Sequence, residues 1–285
     1  MSHETEKLGI ISGGGGLPCD VARAALAIDR PVHLIGISGE ADDEINAFPH
    51  SWIKWGEIGR LFAILREEKC HDVVIIGHVT RPDLTQVRMD LGALKLLPFI
   101  MKLKSGGDDS ILSKIAGLFE DKGHRVCSVL DLVPSLAAAA GNMTKTMPDE
   151  TDQQDMNRGL EVVAAMGRFD VGQAVVVVNG HVIAIEGAEG TDRMLERCQT
   201  LRQWGRKGRH GVLVKVPKPS QDRRIDLPTI GPKTVELAIA ARLSGIAVAA
   251  GQTLIADKTA TIDAANKGKL FVCGVNPDIE GTGKG

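Results

Sequence analysis

Leu8-Gly-Ile-Ile-Ser12 is a short apolar run followed at once by four consecutive glycines, Gly13 to Gly16, and then by a helical pattern. A buried strand, a tight loop and a helix from Pro18 to Asp29, with Val21, Ala24, Ala25 and Ile28 on its inner side, is how a βαβ unit begins. Val32 to Ile37 supplies the next strand. Parallel strands joined through helices place the chain in the α/β class, because a parallel pair needs a crossover long enough to pack back on the sheet. Glycine carries no Cβ to keep a guest away, so the same loop can bring backbone N–H groups to a phosphate. Gly13, Gly14, Gly15 and Gly16 are therefore candidate substrate contacts, the plain alternative being a strand-to-helix turn.

The spacing of those glycines tests the dinucleotide reading. A Gly-x-Gly-x-x-Gly frame from Gly13 needs glycine at position 18 and meets Pro18, and from Gly14 it needs position 19 and meets Cys19. The third glycine, the one that permits close helix–sheet packing, is missing in both frames. Nor is there a clean ribose acid after the second strand, only Glu40, Asp42 and Asp43 crowded on a loop. A nicotinamide oxidoreductase is thus disfavoured, while a nucleotide-type loop is kept.

Trp52 to Trp55 reads as a short strand, Ile58 to Lys69 as a helix and Asp72 to Gly77 as a buried strand. Ligands of open α/β sheets gather outside the carboxyl ends of strands, so Arg81 in the loop His78-Val-Thr-Arg-Pro82 is a candidate phosphate contact. His78 is more readily a structural residue. Asp90 to Lys104 is apolar but carries Lys95, Lys102, Lys104 and Pro98, which fits a buried kinked helix or an apolar wall facing acyl chains or a membrane surface. Asp108 and Asp109 precede a helix from about Ser110 to Gly123; one suits an N-cap and the other is spare for a metal or a ribose. Arg125 to Val129 closes this half as a strand.

Small residues give way to polar ones and a proline between Ala137 and Pro148, so the expected division is residues 1–136, a linker at 137–150, and a second α/β domain at 151–285. The second half opens with a helix, Thr151 to Arg168, and a hairpin at Asn179-Gly180. Glu186-Gly-Ala-Glu-Gly-Thr-Asp192 holds more acids than an N-cap requires; hard oxygen ligands suit magnesium, and Glu189 and Asp192 are the candidates. Lys215 to Glu236 then concentrates chemistry. Lys215 and Lys218, Asp222, Arg223, Arg224 and Asp226 precede Gly231-Pro232, where proline is preset for the first position of a helix. Cations beside a helix start describe an anion site, and a carboxylate among them is most useful holding a metal or orienting a water.

Composition removes several classes. With 34 basic against 36 acidic residues, 3% aromatics and no tyrosine, nucleic-acid binding has no electrostatic footprint and little to stack bases on. Five scattered cysteines without a Cys-x-x-Cys pair argue for a reducing compartment and against a zinc cluster. The polar start is no signal peptide, and no apolar run approaches about 20 residues, so a cytoplasmic protein is expected.

Gly-Gly-Gly-Leu-Pro at 14–18, Gly-x-Val-x-Arg-Pro at 77–82, Gly-Asp-Asp-x-x-Leu at 107–112, Glu-Gly-Thr-Asp at 189–192, Lys-x-Pro-Lys-Pro at 215–219 and Asp-Leu-Pro-Thr-Ile-Gly at 226–231 together resemble the LpxI family. Each motif alone is weak, but the ordered set runs nearly end to end. The resemblance implies an N-terminal Rossmann-like domain and a distinct C-terminal α/β domain, with the substrate between them. It also implies magnesium-dependent hydrolysis of the pyrophosphate of UDP-2,3-diacylglucosamine in lipid A synthesis, giving UMP and 2,3-diacylglucosamine 1-phosphate (lipid X), with water attacking the sugar-side phosphorus. The family's essential aspartate falls on Asp226, while Asp222 has no such match. On this reading Asp226 serves the metal or the water, and Lys215 and Arg81 meet phosphate charge. Thr191, Lys218 and Thr229 lie in the matched motifs as substrate contacts. Peripheral contact with the cytoplasmic face of the inner membrane, and a homodimer, are compatible with it. A non-catalytic sugar-nucleotide sensor stays open as the alternative; it would bind the same ligand without turnover.

Overall fold

The structure, a computed structural model, describes residues 6–80, 89–95, 108–167, 169, 171–201, 208–218 and 224–277, with the side chains of 95 and 108–111 left aside. Two compact units result. One runs to Ser135 and includes Asp222–Asp226; the other comprises Leu136–Gln221 and Leu227–Gly285.

The first unit is a parallel sheet of β1 (Leu8–Ser12), β2 (Val32–Ile37), β3 (His50–Ile53), β4 (Asp72–Ile76) and β5 (Arg125–Val126), in the order β3-β2-β1-β4-β5. Its helices are α1 (Leu17–Leu26), α2 (Ile58–Glu67), α3 (Leu91–Lys95), α4 (Asp108–Asp121) and α5 (Val129–Leu132). β1 is buried along its whole length because it has a neighbour on each edge and helices on its faces. Chain order reverses between β1 and β4, which makes their carboxyl ends the place where this architecture receives ligands. The expected strand from Arg125 to Val129 is shorter, since Ser128 Oγ accepts the Leu130 amide at 3.3 Å and turns the chain into α5. The helix expected from Ser110 begins instead at Asp108, so Asp108 and Asp109 occupy its first turn.

The second unit holds a mixed sheet in the order β6-β13-β11-β9-β7-β8. Its strands are β6 (Gly141–Asn142), β7 (Ala174–Val178), β8 (His181–Ile185), β9 (Val212–Lys215), β11 (Gly245–Ala249) and β13 (Phe271–Val275). A separate parallel pair is β10 (Thr229–Ile230) with β12 (Leu254–Ile255). Its helices are α6 (Glu150–Gly167), α7 (Gly190–Leu201), α8 (Pro232–Ala240) and α9 (Lys258–Lys267). Alternate residues of β7 divide between two cores: Ala174, Val176 and Val178 join Met194, Leu195 and Val235, whereas Val175 and Val177 join Met156, Leu160 and Val163 of α6. Residues 137–150, expected as a linker, carry β6, an antiparallel edge to β13, and Lys145 N–H donates to Asn266 Oδ1 at 2.7 Å.

Candidate active site

The glycine loop leaves β1 and runs directly against the exit of β4. Gly13 N–H donates to Ile76 O at 2.9 Å, Gly14 N–H to His78 O at 2.7 Å, and His78 N–H back to Gly14 O at 2.9 Å. A Cβ on Gly13 would lie 2.5 Å from His78 O, so only glycine lets the two loops lie together. Gly15 N–H donates to Asp42 Oδ2 at 2.6 Å. The backbone donors of Gly13, Gly14 and Gly15 are thus engaged inside the unit, and Gly16 stands as the N-cap of α1. The acid-rich loop after β2 also reaches the other side. Glu40 Oε2 accepts Thr80 N–H at 2.9 Å, and Glu40 Oε1 accepts the Thr80 hydroxyl and, at 3.3 Å, Trp55 Nε1–H. Against the desolvation that would raise it, these bonds hold the Glu40 carboxyl below its ordinary range. Of the three crowded acids Glu40, Asp42 and Asp43, two, Glu40 and Asp42, are braces of the loops that flank the β1/β4 ends. Arg81 lies outside the described residues, one position past Thr80.

In the second unit, β9 delivers Lys215 at its carboxyl end, where the ammonium donates to Thr229 O at 2.9 Å. Lys215 and Lys218 are both buried, 8% and 6% exposed, which concentrates positive charge where water is scarce. Thr229 begins β10, and Pro228 O accepts Leu254 N–H at 2.8 Å, so the Leu-Pro-Thr-Ile segment is fastened to β12 and the Lys215 side chain is tied to it. Gly231 then caps α8, with its N–H donating to Thr234 Oγ1 at 3.4 Å and Pro232 as the first helical residue.

The acids at 186–192 have separate partners. Glu186 is buried and accepts the Thr191 hydroxyl at 2.6 Å and Gln173 N–H at 2.8 Å, closing the loop before α7. Glu189 pairs with Arg197 at 2.8 Å, and its own backbone amide together with that guanidinium holds its carboxyl below the ordinary range. Asp192 pairs with Lys233 at 2.9 Å, joining the first turns of α7 and α8, and the hydrogen bond with Asp192 raises the Lys233 ammonium. Lys233 was not singled out from sequence; its position directly after Gly-Pro at a helix start is the signal that marks it.

Asp226 is half-buried and belongs to the first unit, whereas Leu227 after it belongs to the second. Asp222 lies outside the described residues. Among the described residues no three His, Cys, Asp or Glu side chains converge as a ready-made metal cage. Magnesium seldom needs one, since it is commonly held by one or two carboxylates with water and substrate phosphate completing the shell. A single half-buried carboxylate such as Asp226 fits that habit. Glu189 and Asp192 each already neutralise a cation.

No helix among the described residues is long and apolar enough to cross a membrane. On α3, Leu91 is 79% and Leu94 50% exposed, while Ala93 is buried. This described part of the apolar stretch 90–104 is neither a wholly buried helix nor a polar one.

Comparison with known proteins matches residues 7–136 to the LpxI N-terminal domain and residues 139–273 to the LpxI C-terminal domain. The chain is also 38% identical, over 274 residues, to the UDP-2,3-diacylglucosamine pyrophosphatase LpxI of Caulobacter vibrioides, covering 95% of this chain and 98% of that protein.

Proposed function

The chain belongs to the LpxI family, and on that premise we propose that it hydrolyses the pyrophosphate of UDP-2,3-diacylglucosamine to UMP and 2,3-diacylglucosamine 1-phosphate. The observation that carries this reading is the 38% identity, over 95% of the chain, to a protein named as a UDP-2,3-diacylglucosamine pyrophosphatase. In the reaction, water oxygen bonds to the sugar-side phosphorus, the bridging P–O bond breaks, and the bridging oxygen leaves as part of the UMP phosphate.

Such a step asks for charge neutralisation and an aligned water more than for covalent chemistry. Asp226 is assigned to orient that water and to hold magnesium together with the substrate's phosphate oxygens. Bound there, magnesium would supply charge neutralisation at the pyrophosphate. Lys215 and Lys218 supply fixed positive charge, and the hold of Lys215 on the Thr229 carbonyl keeps its ammonium in one place. With the first three amides of the glycine loop engaged internally, substrate contact in that loop falls to Gly16 and the opening of α1, where a helix presents unsatisfied donors. Arg81, Asp108, Asp109 and Thr191 complete the proposed contacts. Exposed Leu91 and Leu94 suit the acyl chains or the membrane surface that delivers them.

The test is UMP release from UDP-2,3-diacylglucosamine by purified protein, with magnesium or with chelator, comparing the unaltered chain with Asp226→Asn. Magnesium-dependent release that falls by about a thousandfold or more in the variant is expected. Tight binding of the nucleotide with no release under any metal would overturn the hydrolase reading and favour a sensor.

A further inference from the structure

We propose that Ile225 and the Arg224–Glu120 pair are positioning residues that hold Asp226 in register for the reaction, an inference that rests on the hydrolase reading. Lys218 and Leu227 belong to the second unit, whereas Arg224, Ile225 and Asp226 belong to the first. Two consecutive side chains make that attachment, by different means. Ile225 is partly buried against the cluster that contains Ile11, Phe62, Leu65 and Val73. Arg224 Nη1 donates to Glu120 Oε1 at 2.5 Å, near the end of α4, and Arg224 also borders a cavity of about 190 Å³ with Cys127, Ser128 and Asp131.

An apolar anchor fixes depth and a charged one fixes direction, so the main chain is held at two points immediately before the carboxylate. On the other side Pro228 restricts Leu227 and accepts from Leu254 N–H. Asp226 therefore follows directly on two fastenings within its own unit. The ion pair is 41% and 46% exposed, and exposed pairs contribute little to folding, so its presence is poorly explained by stability. Geometry is a better reason, since displacing a reacting group by 1 Å can cost about a hundredfold in rate.

The experiment measures UMP release and thermal midpoints for Glu120→Arg, Arg224→Glu, the double exchange, Ile225→Ala and Ile225→Val. Each charge reversal is expected to lower kcat about tenfold with KM within about twofold of the parent, and the double exchange to recover most of the loss. Ile225→Ala should lose kcat by a similar factor when assayed well below its midpoint, with Ile225→Val near the parent. Hydrogen exchange over residues 224–230 should quicken in Glu120→Arg and Ile225→Ala. Parental kcat in the single variants, or a double exchange no better than either reversal, overturns the positioning role. Unchanged exchange overturns the fastening itself. If the unaltered chain releases no UMP, the hydrolase reading fails and takes the positioning role with it, while exchange still decides whether the segment is fastened.

Discussion

At the scale of single residues, what separates this α/β protein from a generic one is how its acids are used. Glu40 accepts three hydrogen bonds from Thr80 and Trp55, and Asp42 takes the Gly15 amide, so two carboxylates join the loops leaving β1 and β4. Glu40→Ala leaves those donors to water and lets the 78–80 loop relax. We expect kcat/KM for UMP release to fall about tenfold, mainly through KM, for a stability loss of about 1 kcal/mol by thermal unfolding. Glu40→Gln, which keeps an acceptor, should be milder. None of this was legible in the sequence, because Thr80 and Trp55 lie 40 and 15 positions from Glu40 and no local pattern joins them. The candidates at Lys215 and Asp226 were legible, since charge and proline in one short stretch need no distant partner to be noticed.

At the scale of elements, helix α6 approaches the sheet closely enough to require glycine at one point. A Cβ on Gly159 would lie 2.3 Å from Val214 Cγ2, in the core formed with Met156, Leu160 and Val163. Gly159→Ala should therefore destabilise the second unit by about 1–3 kcal/mol, read as a lower denaturant midpoint at unchanged slope, although alanine is the better helix former. Hydrophobic period carried most of the fold. Apolar runs announced β1, β2 and β4, and Asn179-Gly180 announced the β7–β8 hairpin, with Asn179 at φ +50° and Gly180 at φ +79°. What failed was short and context-made: β6 has two residues, owes its pairing to β13, and sits in a stretch whose local composition reads as a crossing.

At the scale of the whole molecule, acid stability and folding order both follow from long-range pairing. Asp72 opens β4 and takes two bonds from Arg125 at 2.7 Å and another from Arg30, joining the amino ends of the first unit's strands. The hydrogen bonds from Arg125, then those from Arg30, outweigh desolvation and lower its carboxyl to about 2. A depressed carboxyl stabilises the fold fully above its unfolded value near 4 and loses that contribution as pH falls through about 2, a swing of about 2 kcal/mol. Asp72→Asn should accordingly unfold at lower denaturant at pH 7, and the gap from the parent should close as the pH approaches 2. The segment Asp222–Asp226 has a further consequence, one of timing. Glu120 waits for Arg224 across 104 positions of chain, which at about 5–20 residues per second is roughly 5 to 20 s of synthesis. Through that interval the nascent first unit stands on the ribosome with the patch for Ile225 uncovered, and only translation of the second unit's own strands brings the residue that closes it.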